Sequence, residues 1–151
     1  MIAPMKRKVV SITPPQVIVD NASWTTAELD TLGWDFVVIN AFFGAMDIAM
    51  VALKVQQSDV SGSGFADVTG LVFGTSLNDT GSTSTLPSAT DDNKFFSFFV
   101  DLRARKRYLD LVATGGDGAA GTYLTAWAEL WRGKDAPLSA SEAGYSQRLI
   151  V

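Results

Sequence analysis

Apolar and polar residues alternate with a period of two along most of this chain, in runs of seven to eleven residues broken by turn-forming clusters, a pattern of half-buried β-strands. Trp34–Phe43 is a strong predicted strand: Trp34, Phe36, Val38 and Phe42 share one face, and Val37, Ile39 and Phe43 the other. Met50–Gln57 alternates next, with Val51, Leu53 and Val55 read as inward and Lys54 and Gln56 as outward. Residues 58–64 (SDVSGSG) form a hairpin-type loop, and Phe65–Phe73 returns as a strand. Phe95–Arg132 then reads as a meander: FFSFFVDL, a basic knot RARKR, YLDLVAT, a Gly-rich turn GGDGAAG, and TYLTAWAELWR. Strands this apolar on both faces need a second sheet, so the expected architecture is an all-β sandwich of eight to ten short antiparallel strands without a helix.

The ends of the chain read differently. Residues 1–15 are expected to be an extended N-terminal arm, with Lys6–Ile12 able to form a strand before the stiff break at Pro14-Pro15. The sandwich domain is assigned to 16–132. Residues 133–151 form a C-terminal tail in which Ser139 and Glu142 have capping-box spacing and Arg148–Val151 can add an edge strand. Gly74–Lys94 is the one long polar connection, rich in Ser, Thr, Asn, Asp and Gly. It is expected to be an exposed loop lying over the sandwich or over a partner.

Composition narrows the chemistry. The 151 residues contain no cysteine and no histidine. Disulfides, thiolate nucleophiles, Ser–His systems and the usual zinc ligands are therefore excluded. The expectation is a protein that is not an enzyme and holds no cofactor and no metal. The net charge of −4 is uneven: residues 1–15 carry +3, 16–102 carry −9, 103–107 carry +4, and the remainder −2. Nucleic-acid surfaces spread Lys and Arg over a face, so two isolated basic spots point to protein docking instead. The most apolar window, Phe36–Met46, is far short of a spanning helix. VVSIT lacks a secretory h-region, and the expectation is a soluble, cytosolically made protein without membrane contact.

Arg103, Arg105, Lys106 and Arg107 place four positive charges in five residues. They read either as a solvated hairpin tip that discourages edge pairing or as a docking knob for a partner's carboxylates, to which guanidinium is suited. Lys6, Arg7 and Lys8 are the second partner-binding candidate. Asp91-Asp92-Asn93, Asp59 with Asp67, and Asn78-Asp79 lack calcium-loop spacing and read as turn chemistry. GGDGAAG lacks the Lys-Ser/Thr ending of a phosphate loop and reads as a hairpin turn. In the last strand Tyr123, Trp127 and Trp131 share one side, and Leu124, Ala126, Ala128 and Leu130 the other. Either the aromatic side packs in the core and the small side is covered by the arm, or one face meets another subunit. Tyr123, Trp127 and Trp131 are the subunit-interface candidates, because large rigid aromatics favour interface centres.

Four phrases carry a family resemblance: Glu28–Phe36 (ELDTLGWDF), Met46–Ser58 (MDIAMVALKVQQS), Phe65–Gly70 (FADVTG) and Arg105–Leu109 (RKRYL). Together they resemble segments of capsid decoration, or cement, proteins of tailed bacteriophages. The resemblance covers roughly residues 28–132, and the 74–94 loop is longer than its pattern. It implies a jelly-roll-like sandwich, often homotrimeric, that binds the outside of the capsid and bridges major capsid protein subunits after assembly in the host cytoplasm. The alternative from another class is a carbohydrate- or surface-binding module of a tail or head fibre, with Trp24, Trp34, Trp127 and Trp131 as the candidate platform.

Overall fold

Phe36–Met46, the strand with the deepest apolar alternation, lies at the centre of the larger of two stacked sheets. The computed structural model describes residues 7–14, 18–132 and 146–151. Nine strands occur among them: β1 Arg7–Ser11, β2 Leu29–Asp30, β3 Phe36–Met46, β4 Ala52–Ser58, β5 Ala66–Val72, β6 Phe95–Asp101, β7 Tyr108–Thr114, β8 Thr122–Trp131 and β9 Gln147–Ile150. One sheet runs β1-β8-β3-β6-β9 and the other β2-β7-β4-β5. The first eight strands thus divide as 1-8-3-6 against 2-7-4-5, which is jelly-roll topology. All pairs are antiparallel except β9, which lies parallel to β6. That departs from the all-antiparallel expectation.

Val37, Ile39, Ala41 and Phe43 of β3 face the other sheet and are buried, as are Leu53 and Val55 of β4, Phe96 and Phe98 of β6, and Leu109 and Leu111 of β7. Edge-to-face contacts of Phe73 with Phe96 and Phe98, and of Phe43 with Phe96, fill the centre at 5.1–5.6 Å between rings. This volume decides the orientation of β8. With large rings already in the centre, β8 turns Leu124, Ala126, Ala128 and Leu130 inward, and its aromatic side faces away from the second sheet. The alternative with Tyr123, Trp127 and Trp131 in the core does not occur.

The expected meander is corrected by the topology. β6 and β8 belong to one sheet and β7 to the other, so neither RARKR nor GGDGAAG is a hairpin turn. Leu102–Ala104 forms a 3-10 turn whose buried Leu102 donates its N–H to Asp35 O, which carries the chain off the first sheet towards the second. At the opposite end, Gly115 N donates to Ala22 O and Asn21 N to Gly116 O, which dock the 115–121 crossover on the segment before β2. Val51 is also corrected: the strand starts at Ala52, Met50 is the buried residue, and Val51 is exposed.

The described part of the N-terminal arm is built into the sandwich. Arg7–Ser11 is an edge strand, and Ile12 and Thr13 are buried beside it. The 74–94 connection is ordered by side-chain hydrogen bonds rather than by a core. Asn78 Oδ1 accepts from Thr80 N and Ser82 N, and Ser84 Oγ donates to Ser76 O while accepting from Gly74 N. Pro87 O accepts from Met50 N, and Leu86 packs against the core, so the loop folds over its own sandwich. Arg148–Val151 does provide an edge strand, β9. The Ser139–Glu142 spacing lies outside the described residues.

Candidate functional site: the outer face of the five-stranded sheet

The outward side chains of the five-stranded sheet follow from strand register, since opposed residues share a face. One row runs Arg7, Trp131, Phe36, Asp101. The next runs Val9, Glu129, Val38, Phe99, Ile150, and a third Ser11, Trp127, Asn40, Ser97, Arg148. A fourth holds Thr125, Phe42 and Phe95, and Tyr123 lies beyond it on β8. Water-facing sheet faces usually carry polar side chains. This one carries seven aromatic residues.

The candidates Tyr123, Trp127 and Trp131 therefore come together as one outward column, and a charged brace fixes it. Trp127 Nε1 donates to Glu129 Oε1 at 3.2 Å, and Arg7 Nη1 donates to Glu129 Oε2 at 3.3 Å. The Arg7 guanidinium also lies over the Trp131 ring, 5.3 Å from its centre. On the other side of Trp127, Phe95 meets it edge-on at 6.0 Å and stacks at a tilt with Phe42 at 4.5 Å. Tyr123 is the exposed member and packs over Gly44, where a β-carbon would lie 3.0 Å from Tyr123 Cβ. Sequence alternation identifies the column on β8. It carries no signal for Phe42, Phe95 or Arg7, which arrive from three other strands.

The basic candidates are distributed over neighbouring carboxylates. Arg107 grips Asp30 through Nε and Nη2, at 2.9 and 2.7 Å. That grip, helped by the Leu32 N–H, holds the Asp30 carboxyl down at about 2. Arg103 does the same to Asp101, also held at about 2 by the guanidinium and by the Arg103 N–H. Lys106 pairs with Asp59 at 3.1 Å. Arg105 is half-buried, its Nε enclosed without a hydrogen-bond partner. The 103–107 knot is thus an inter-sheet crossover with compensated charge rather than a projecting basic tip. Lys8 is exposed at the β1 edge, and Lys6 lies outside the described residues.

The Asp91 and Asn78 clusters serve turns, as expected, but Asp67 lies on β5 and bonds across to β4, and Asp59 pairs with Lys106. Asp91 accepts from Ser88 N and from Lys94, and Asp67 from Gln56 and Lys54, which lower its carboxyl in that order. Asp47 receives the Ala119 and Ala120 N–H groups, which hold its carboxyl low and order the Gly-rich crossover. No group of three or more acidic residues among the described ones is placed to hold a metal ion. No described helix is long and apolar enough to cross a membrane. Of the four tryptophans, Trp24 and Trp34 pack against the core, and only Trp127 and Trp131 lie on the outer face.

The fold defines the class: an all-β sandwich of jelly-roll topology with an aromatic outer face. No family model matches the chain, and neither a curated protein nor a solved structure does.

Proposed function

We propose that this chain is a structural virion protein that binds the outside of a bacteriophage capsid and stabilises it by bridging major capsid protein subunits, acting as a homotrimer and without catalysis. The observation that carries the reading is the braced aromatic column Tyr123–Trp127–Trp131 on the outer sheet face. A flat, pre-organised surface of Trp, Tyr and Phe with one Arg has the composition of an interface centre, and holding it rigid lowers the entropy lost on docking. Jelly rolls are a common framework of capsid domains, and the four sequence phrases point the same way. The compensated Arg103–Arg107 crossover and the Arg7–Lys8 edge form the polar surroundings, which contribute register more than affinity. Multiplied around a symmetric shell, modest contacts give large total binding.

The test is co-sedimentation with shells assembled from the virion's major capsid protein. The wild-type chain should pellet with the shells and raise their thermal midpoint, and Trp127→Ala with Trp131→Ala should lose occupancy at least tenfold. Shells that neither bind the chain nor gain stability would overturn the proposal.

A second reading has a specific observation of its own. Trp127 and Trp131 face outward about 13 Å apart along one strand, with a carboxylate between them, a spacing that suits stacked sugar rings. Quenching of tryptophan fluorescence by an oligosaccharide, abolished in Trp127→Ala, would favour it.

A further inference from the structure

The five-stranded sheet ends at β1, and among the described strands none lies beyond it. Ile12 N donates to Ala126 O in the register that sets Val10 opposite Ala128 and Lys8 opposite Leu130. Opposed residues of an antiparallel pair exchange both backbone bonds at every second position. Lys8 and Val10 therefore commit their N–H and C=O groups to β8, and Arg7, Val9 and Ser11 turn theirs to the open side. Val9 is 54% exposed there. The edge closes just past Ser11, where Ile12 O receives the Ala27 N–H.

Sheet edges are usually blunted against further pairing, and the other three end strands are. β2 has two residues. β5 carries a register shift and Gly70 at φ +90°, with Val151 packed on that glycine. β9 has four residues, the first of them bonded to Thr85 of the 74–94 loop. β1 pairs regularly, without a bulge, a proline or a glycine. Its Arg7 already has a carboxylate in Glu129 and an aromatic face in Trp131. What the edge leaves unmet is therefore backbone hydrogen bonding at Arg7, Val9 and Ser11, together with the apolar Val9 side chain, rather than a demand for acidic groups.

A second β1 meets both needs in one register. With the Val9 residues of two copies opposed, Arg7 falls opposite Ser11 of the second copy, and Ser11 opposite its Arg7. Each of these pairs exchanges both backbone bonds, and Lys8 falls opposite Val10 of the second copy. No like charges are directly opposed. A slip of one residue sets Val9 against Lys8 or Val10, whose backbone groups β8 already holds. A slip of two sets Arg7 directly against Arg7, which is repulsive, or runs Val9 into Thr13 beyond the strand.

We propose that β1 pairs antiparallel with β1 of a second copy about a two-fold axis through Val9. The axis stands perpendicular to the sheet, so the two aromatic outer faces join as one surface. The inference goes beyond the proposed function: this two-fold is separate from a three-fold contact, and a chain with contacts of both kinds links trimers into a net. The pairing buries well under the roughly 1,200 Å² of a stable interface, so it is weak in solution and takes hold where copies are crowded together.

The test compares mean mass by light scattering between ~10 μM and ~1 mM protein, where a weak contact fills. The wild-type mass should rise by at least about 1.5-fold over that range. Val9→Pro removes an N–H that β8 does not use, and proline is tolerated at such edge positions. Val9→Lys opposes two like charges on the axis and leaves every backbone group in place. Both should keep the wild-type circular dichroism and hold the mass at its dilute value; if Val9→Pro fails to fold, Val9→Lys decides. A wild-type mass that stays flat overturns the pairing, as does a rise that Val9→Lys retains. Because the chain has no cysteine, a nitroxide on Val9→Cys reads the register. Its spectrum at high concentration should broaden more than that of a nitroxide on Ser11→Cys, and the reverse order refutes the axis. Shell binding by a chain that shows no self-pairing counts against this inference alone, and self-pairing without shell binding against the virion reading alone.

Discussion

Asp30 of β2 and Arg107 of the inter-sheet crossover form a two-pronged pair, Nε and Nη2 on the two carboxylate oxygens at 2.9 and 2.7 Å. The pair ties the shortest strand to the chain crossing between the sheets. The folded-state carboxyl is held at about 2, below its unfolded value near 3.9, so the stabilisation is complete above about pH 4 and fades as pH falls towards 2. Asp30→Asn should lower the melting temperature at pH 7 slightly, and the two melting curves should converge near pH 2. The pair is nearly half exposed, so 1 M salt should shrink the difference at pH 7.

Thr13 closes the β1–β8 ladder. Its hydroxyl accepts the Ala126 N–H at 2.7 Å in a buried site, where Ala126 O already receives the Ile12 and Thr13 N–H groups. Thr13→Val keeps the shape and orphans that amide. Equilibrium urea unfolding should show a loss of about 1–3 kcal/mol. Thr13→Ser, which retains the oxygen, should lose less.

Gly121 immediately precedes β8 with φ of +73°, and a β-carbon there would meet Ile18 Cγ2 at 2.6 Å and Val19 O at 2.9 Å. Gly121→Ala should destabilise by about 1–3 kcal/mol from backbone strain, with the clash in addition. Hydrogen exchange should rise first at Val19 and Thr122, whose amides pair with each other's carbonyls across this corner.

Leu111 of β7 is 1% exposed at the centre of the core. Leu111→Ala should cost about 2–5 kcal/mol. A chain of this size should then melt roughly 5–15 °C lower by calorimetry.

The strand pattern was legible because burial alternates on nearly every strand: Leu53 and Val55 point inward and Lys54 and Gln56 do not. Pairing was not legible. FFSFFVDL and YLDLVAT look the same whether they are joined as a hairpin or carried into opposite sheets. What separates the two cases is Leu102 turning under Asp35 O, a contact between residues 67 apart. The orientation of β8 depended likewise on ring volume supplied by Phe43, Phe73, Phe96 and Phe98, which lie in other segments. The basic knot was visible as charge, but its compensation by Asp30, Asp59 and Asp101 depended on which turns meet at that end of the sandwich. Phe42 and Phe95 joined the aromatic face only through the registers of β3 and β6.

β1 pairs with β8, Arg7 opposite Trp131 and Ser11 opposite Trp127. On a ribosome, β1 must therefore wait for β8, which is made long after it. Until residue 131 has left the exit tunnel, β3 lacks its β8 neighbour, and Phe36, Phe42 and Phe95 lie on a half-built sheet open to other nascent chains. The Arg7 and Lys8 charges at the waiting edge keep that strand from pairing with the wrong one, so the same two side chains that border the finished surface also guard the chain while it is being made.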